Sequence, residues 1–246
     1  MATAKELILK RNECEKLLNI ANDNMSKDNY LQALTMYKNA VIRAEEIFRL
    51  SKIDQDRELV IKVYTAIAKY YRIMYQATGS GTESYQAITY YERIIFLYNE
   101  ALDLADSEHR IIYLKSLMEN YVQLIKISLD TKSYPIYKEY SPIAYKCAKL
   151  LIKENPVYES EQYVILLDVF NGDYFRFQKK YKRALVWYYV GCNKLQKIYD
   201  DFPKEEIKND LIAIYTSLYE ISLLLNRNRL KKRYKEKILE LKGELK

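Results

Sequence analysis

Glycine and proline are scarce in this chain of 246 residues, which contains 5 glycines and 4 prolines. The first glycine is Gly79 and the first proline is Pro135. β-Sandwiches and doubly wound sheets need many tight turns, and tight turns depend on these two residue types. No segment has a convincing strand pattern. The scarcity therefore favours long helices with short polar connections.

Cysteine is also rare, and its spacing excludes a disulfide framework. The three cysteines are odd in number, far apart in sequence, and form no C-x-x-C pair (Cys14, Cys147 and Cys192). This usage favours reduced thiols in the cytosol. A zinc site has no support, because the chain has a single histidine.

The histidine, His109, lies at a predicted helix start beside Glu108 and Arg110. No nucleophile or acid accompanies it in a recognisable motif, so an exposed residue near a helix cap is favoured over a general base. The sequence also lacks a glycine-rich phosphate loop. We therefore predict a protein that is not an enzyme and uses no cofactor.

Long apolar runs are missing as well. No run approaches the length of a membrane span, and the opening Met-Ala-Thr-Ala-Lys-Glu lacks the apolar stretch of a signal peptide. These absences predict a cytoplasmic protein without stable membrane anchoring.

Apolar residues recur at helical spacing along nearly the whole chain. Hydrophobic residues make up 49% of the sequence, and the 26 tyrosines suit half-buried seams between helices. One helical face is marked by Ile111, Leu114, Met118, Tyr121 and Ile125, and capping residues precede it at 106–108. Polar breaks recur along the chain, among them 26–29, 51–54, 79–82, 130–133, 155–156 and 200–203, and we predict roughly nine or ten helices. Because these polar connections are short, we predict that successive helices are antiparallel neighbours.

A weak internal repeat occurs at three places in the chain. Tyr30 is followed by Ala33, Tyr37 and Ala40, after a helix that contains Ala21. The second copy has Tyr181, Ala184, Trp187 and Tyr188 after Gly172, and the third, weaker copy has Tyr85, Ala87 and Tyr91. Small residues let paired helices approach, and aromatic residues fill the seam. The pattern resembles tetratricopeptide repeats, which are arrays of helical hairpins.

A second resemblance spans most of the chain and is to the 14-3-3 family. The matching segments occur in the family's helix order: 57–72 resembles its third helix, 108–115 the start of its fifth, 141–156 its sixth, 174–184 the junction of its seventh and eighth, and 209–212 the start of its ninth. The ninth-helix signature itself is absent. A competing local match at 172–177 resembles the family's arginine–tyrosine segment but falls two helices too late.

The 14-3-3 resemblance implies a concave groove that binds phosphoserine or phosphothreonine peptides through basic side chains. Arg72 falls on a phosphate-binding arginine, and Lys115 falls on a groove lysine. Lys69 lies one turn before Arg72 and would supplement it. Alternatively, Lys69 and Arg72 lie on a solvent-exposed helix face and bind no phosphate.

Most of the implied phosphate clamp is degenerate. Thr65 replaces a lysine, and the arginine and tyrosine expected on the fifth helix fall on Val122 and Gln123. The groove asparagines fall near Val169, which Asp168 and Asn171 flank, and on Tyr219. The resemblance therefore implies a groove with Arg72, Lys69, Lys115 and Gln123 as candidate phosphopeptide-binding residues, and with weak, altered or lost phosphate binding.

A carboxylate clamp of the kind found in some chaperone-binding tetratricopeptide domains is disfavoured. Asn22 matches one position of such a clamp, but Leu18 and Ala66 occupy positions where those domains need lysine and asparagine.

Positive charge is concentrated at the C-terminal end. From Leu223 onward, nine lysines and arginines face three glutamates, and the remainder of the chain is close to neutral. This segment has three interpretations: a packed amphipathic helix with Leu230, Tyr234, Ile238 and Leu241 near one face, a contact to acidic membrane or nucleic acid, or a flexible tail that folds over the groove. Packing or simple solvation is favoured, and no aromatic interleaving indicates base stacking.

Together these patterns predict an all-α, right-handed array of about nine antiparallel helices. They predict a single domain over 1–246, with 224–246 as a basic helix or tail. The leading hypothesis is a non-catalytic adaptor for partner proteins or phosphopeptides, a homodimer through the long first helix at 4–25, with no nucleic-acid partner. The alternative is a tetratricopeptide-type scaffold for unmodified peptides or helices.

Overall fold

Ten α-helices form in the computed structural model, which describes residues 4–243, and the predicted polar breaks lie at connections between them. The helices are α1 (Ala4–Ser26), α2 (Tyr30–Ser51), α3 (Asp54–Thr78), α4 (Gly81–Leu104), α5 (Ser107–Asp130), α6 (Tyr134–Glu154), α7 (Tyr158–Phe177), α8 (Tyr181–Asp201), α9 (Glu205–Leu224) and α10 (Asn228–Lys242). The all-α fold class is confirmed, and residues 4–243 contain no strand. No helix in this range combines the length and apolarity needed to cross a bilayer.

Four of the helix connections share one three-residue turn. In each, the middle residue has a left-handed backbone conformation, with φ between 54° and 58° (Asp28, Lys132, Lys179 and Asn226). The next amide then donates to a carbonyl five residues back, as Asn29 does to Asn24 at 2.9 Å and Lys180 does to Phe175 at 2.8 Å. This is a Schellman closure, in which glycine is the usual left-handed residue. Here lysine, aspartate and asparagine adopt the conformation, so tight turns form without glycine.

The contacts divide the chain into two units on either side of the Ile127–Ser128 bond. Unit 1 contains α1 to α4 and most of α5, and each of its helices α1 to α3 packs against the next. Unit 2 contains α6 to α10, which also pack in sequence order. The single domain predicted over 1–246 stays a prediction.

The core of unit 1 uses small side chains where α1 meets α2. Ala21, Ala33, Ala40 and Ala44 are fully buried. Short side chains at the contact let two helix axes approach closely. The first copy of the sequence repeat therefore marks a packed helix pair.

Unit 2 repeats this arrangement in α7 and α8. Gly172 packs against the ring of Tyr188, which is fully buried, much as Ala21 and Tyr37 are buried in the first copy. The correspondence extends to a hydrogen bond. The Tyr37 hydroxyl donates to Asn22 at 2.7 Å, and the Tyr188 hydroxyl donates to Asp173 at 2.6 Å. In both copies the two partners are 15 residues apart.

The basic C-terminal segment forms α10, which packs on unit 2. Tyr234 is buried, and Leu230, Ile238 and Leu241 pack against the same core as Leu211 and Leu218 of α9. Among the three interpretations, the packed amphipathic helix agrees with this arrangement for residues 228–242. The exposed cations include Arg229, Lys232, Arg233, Lys235 and Lys242. Glu244 and Lys246, which the charge count includes, lie outside the described residues.

Candidate functional site

One face of α3 opens onto a groove of about 550 Å³ within unit 1. The α3 side chains that line it recur every three or four residues, as one face of a helix requires. They are Glu58, Ile61, Lys62, Thr65, Ala66, Lys69, Tyr70 and Ile73. The opposite wall is α1, which contributes Leu18, Asn22 and Met25. From residue 58 to residue 73 the α3 wall is about 22 Å long, enough for a short peptide segment.

Tyrosines form part of the groove lining. Tyr37 of α2 donates its hydroxyl hydrogen bond to Asn22, and its ring centroid lies 5.9 Å from that of Tyr70. Burial raises the pKa of the Tyr37 phenol, so this hydroxyl stays protonated at neutral pH. The same holds for Tyr98 of α4, whose phenol pKa is raised mainly by burial. These side chains offer apolar ring faces to a ligand, with fixed polar atoms at their edges.

The charges in the groove are mixed. Lys62 and Lys69 are exposed and form no ion pair within residues 4–243. Glu58 is also exposed, and burial of its carboxyl on one side raises the pKa of that group. The groove therefore has two unpaired ammonium groups and one carboxylate that is less acidic than usual.

The structure brings together two of the four predicted site residues. Arg72 of α3 donates from Nη1 to the side-chain carbonyl of Gln123 on α5. Its Nε is buried and has no hydrogen-bond partner in the described chain. Because the Gln123 amide is neutral, the guanidinium charge is not compensated by that contact. The positions that the 14-3-3 resemblance places on the third and fifth helices thus meet across α3 and α5.

The other two predicted residues occupy separate places. Lys69 lines the groove one turn before Arg72 on α3. Lys115 is half-buried on α5, eight residues before Gln123, which is about 12 Å along a helix axis. No contact between Lys115 and Arg72 or Lys69 is present among the described residues.

The degenerate positions of the implied clamp have ordinary structural roles. Thr65 lines the groove, and its hydroxyl donates to the Ile61 carbonyl at 2.8 Å, which is a bond within α3. Val122 is half-buried beside Gln123. Val169 and Tyr219 belong to unit 2, outside this groove.

Leu18, Asn22 and Ala66, which we considered as carboxylate-clamp positions, all line this groove. The tetratricopeptide-like register thus places these three residues on one surface. Sequence reasoning missed Tyr98, Lys62 and Met25. Lys62 had a usable signal, because it lies seven residues before Lys69 and so shares its helix face.

His109 has the capping environment expected from the sequence. Asp106 Oδ1 accepts from the backbone N–H of His109 at 2.9 Å and lies 2.8 Å from His109 Nδ1. The side-chain hydrogen bond to Asp106 raises the pKa of the exposed imidazole. Within residues 4–243 no group of histidine, cysteine, aspartate and glutamate side chains has a geometry that would hold a metal ion.

Comparison with solved structures finds chains of similar fold. The crystal structure of BtubC (BKLC) from P. vanneervenii matches over 98% of this chain and 92% of its own, with 15% identity and a TM-score of 0.64. A de novo designed helical repeat protein, DHR64, matches over 94% and 97%, with 19% identity and a TM-score of 0.42. The S. pombe nuclear import adaptor Nro1 matches over 97% and 94%, with 11% identity and a TM-score of 0.37. At such identities the likeness concerns the fold alone.

No protein-family model matches the chain. No curated protein sequence matches it either. The 14-3-3 resemblance therefore stays a prediction, and the structural comparison supports the all-α fold alone.

Proposed function

We propose that this protein is a non-catalytic adaptor that binds a peptide segment of a partner protein in the groove between α1 and α3. The observation that carries the proposal is the groove itself, about 550 Å³ in volume and lined by apolar, tyrosine and unpaired lysine side chains. Pockets of this size with a few fixed polar groups are typical of ligand sites.

A phosphorylated peptide is the first candidate ligand. Lys69 supplies a cation inside the groove. Arg72, on the next turn and outside the groove lining, carries a guanidinium whose hydrogen-bond partner is the neutral Gln123. A phosphate dianion favours an arginine with unused donors, because each N–H···O contact is charge-assisted. Lys115 of α5 would contact the phosphate only if the peptide extended along that helix. The clamp has fewer cations than the 14-3-3 resemblance implies, so we expect modest phosphate selectivity.

An unmodified peptide is the second candidate, and a different observation favours it. The groove lining includes the uncharged residues Leu18, Ala66, Ile61 and Ile73. The Thr65 hydroxyl donates its hydrogen bond to a carbonyl of its own helix, so it is not available to a phosphate. Apolar side chains of a tetratricopeptide-type ligand would pack on this surface without a phosphate. The two candidates share one groove and differ in their need for Arg72.

Fluorescence anisotropy with paired peptides separates the candidates. Each labelled peptide is measured with phosphoserine and with serine against the native chain and its Arg72→Ala, Lys69→Ala and Gln123→Ala variants. Lys38→Ala, an exposed lysine of α2 outside the groove, is the matched control. Losing a charge-assisted contact is expected to weaken phosphopeptide binding by roughly tenfold. If both peptides bind with equal affinity and Arg72→Ala has no effect, Arg72 does not bind phosphate. The protein would then be a scaffold for unmodified peptides. If no peptide binds, the adaptor function itself is wrong.

We also propose a homodimer through the N-terminal helix. Ile8 and Leu9 at the start of α1 are 52% and 55% exposed, and a second copy would remove this apolar surface from water. Light scattering with Leu9→Glu tests it: the native chain should be a dimer and the variant a monomer. A monomeric native chain at micromolar concentration would refute the proposal.

A cytoplasmic location is part of the same proposal. Cys14 and Cys192 are buried thiols, and burial raises the pKa of each to about 11. Such protonated thiols suit a reducing compartment. Fluorescence microscopy of the tagged full chain in its host tests the location.

A further inference from the structure

Unit 2 contains a second groove, between α7 and α9, with a volume of about 550 Å³. Its floor is apolar and includes Ile165 and Val169 of α7, Leu195 of α8 and Ile214 of α9. Three carboxylates, Glu159, Glu206 and Asp210, complete the lining. Neither the sequence patterns nor the proposed adaptor function uses this surface.

The carboxylates gather at one end of the groove. Glu159 lies in the first turn of α7, and Glu206 and Asp210 lie in the first two turns of α9. Tyr158, at the start of α7, has its phenol pKa raised by burial and further by the charges of Asp210, Glu206 and Glu159. All three carboxylates therefore lie near Tyr158 at the helix starts, and the apolar lining residues Ile165, Val169 and Ile214 come later along α7 and α9.

These carboxylates have no cationic partner of their own. No ion pair within residues 4–243 engages Glu159, Glu206 or Asp210. Lys204 lies beside Tyr158, with its Nζ 6.0 Å from the ring centroid. By contrast, Glu205 next to Glu206 is paired with Lys208 at 3.2 Å.

Helix-start stabilisation accounts for only part of this cluster. Acidic residues in a first turn interact favourably with the helix dipole, which explains Glu159 and Glu206. Asp210 is beyond the first turn of α9. Burial and repulsion from the neighbouring Glu206 charge raise its pKa. A ligand cation would relieve this repulsion.

We propose that the groove between α7 and α9 binds a basic, amphipathic peptide segment of a partner protein, with a lysine or arginine at the Glu159–Glu206–Asp210 end and apolar side chains on the floor. The lining of α7 runs from residue 159 to residue 169, about 15 Å, which accommodates about ten residues of a helical ligand. The acidic end of the groove has the opposite sign to the net charge of the chain. A protein with net charge +7 attracts acidic peptides non-specifically, so selection of a basic peptide requires a local acidic site.

The test measures anisotropy of a labelled peptide of about ten residues with lysine and leucine at helical spacing, and of its counterpart with glutamate for lysine. We expect the lysine peptide to bind the native chain more tightly, with affinity that falls as salt rises. The charge reversal Glu159→Lys/Glu206→Lys should weaken binding by about tenfold. The matched control is Glu161→Lys/Glu205→Lys, which makes the same charge change in the same helix turns outside the groove and should change affinity by less than about twofold.

Three results would overturn the proposal: equal binding of the two peptides, equal effects of the groove and control reversals, or no binding of the lysine peptide. Glu58→Lys, which reverses the carboxylate of the unit 1 groove, should leave the affinity unchanged, and a loss with that variant would place the peptide in that groove instead. Asp210→Asn keeps the side-chain shape and provides a second groove variant if the double reversal lowers the melting temperature. It should weaken binding about threefold, and unchanged affinity would count against the site.

Discussion

Gly172 of α7 faces the ring of Tyr188 on α8 so closely that a methyl group at its Cβ position would lie 2.5 Å from the ring carbons Cδ1 and Cε1. Tyr188 is fully buried and hydrogen-bonded to Asp173, so its ring has no room to move away. In the first copy of the repeat, the residue 16 positions before Tyr37 is the buried Ala21, as Gly172 is 16 positions before Tyr188. The α7–α8 pair is therefore packed for glycine where the α1–α2 pair accepts alanine.

This contact predicts that Gly172→Ala destabilises the protein. We expect a loss of about 1–3 kcal/mol in the free energy of unfolding, because overpacking a buried contact forces neighbouring groups to shift. Denaturant titration followed by circular dichroism measures it. Gly191→Ala is the matched control on α8, since its new Cβ would lie 3.4 Å from Asp168 Cβ, an ordinary contact. If Gly172→Ala and Gly191→Ala are equally stable, the Tyr188 ring moves to make room for the new methyl group, and the prediction is wrong.

The ion pair of Arg11 and Asp56 predicts an acid-sensitive link between α1 and α3. Arg11 donates from Nε and Nη2 to the two carboxylate oxygens at 2.6 and 2.7 Å, and Asp56 is fully buried. Burial alone would raise the pKa of Asp56, but the hydrogen bonds from Arg11 and Ser51 outweigh it and hold the pKa below its ordinary value. The pair therefore stabilises the fold above the usual aspartate range, and this stability is lost as the pH falls through the lowered pKa.

We expect Asp56→Asn to lower the free energy of unfolding by about 3 kcal/mol at pH 7, because it leaves the Arg11 charge without its partner. The difference from the native chain should shrink between about pH 5 and pH 2. Stability curves at several pH values measure this, with the exposed Asp23→Asn as control. A difference that stays constant with pH would contradict the assignment.

Asp173 predicts the opposite pH dependence. Burial raises the pKa of its carboxyl, although the Tyr188 hydrogen bond and the Arg176 charge lower it in part. A raised native pKa means that stability present at low pH is lost as the pH rises through it. Asp173→Asn keeps an acceptor for Tyr188, as Asn22 does for Tyr37. The variant should match the native chain near pH 3 and be more stable at pH 7, and lower stability at pH 7 would refute this.

The left-handed turn residues predict a stabilising substitution. Lys179 has φ 58°, a conformation that costs a residue with a side chain more than it costs glycine. Lys179→Gly should therefore raise the free energy of unfolding by about 0.5–1 kcal/mol. Lys197→Gly on the exposed face of α8 should lower it by about the same amount, because glycine weakens a helix interior. Thermal melts of the two variants should shift in opposite directions.

The sequence predicted more of the fold than of the site. The break at 79–82 and the capping group at 106–108 mark real helix ends, because helix periodicity and caps depend on neighbours in the chain. The left-handed conformation at Lys179 had no such signal, since lysine rarely adopts it. Arg72 and Gln123 were placed together only by resemblance, and their contact depends on how α3 meets α5.

The sequence by itself determined an all-helical chain, its hairpin breaks and the amphipathic α10, because these follow from short-range spacing of apolar and polar residues. Only the tertiary structure decided which face of each helix stays open. It put Lys69 into the unit 1 groove and turned Arg72 toward α5. It also gathered Glu159 and Asp210, 51 positions apart, at one end of a second groove. The physical reason is that a groove consists of surfaces that no single helix specifies, so its charge is known only once the helices pack.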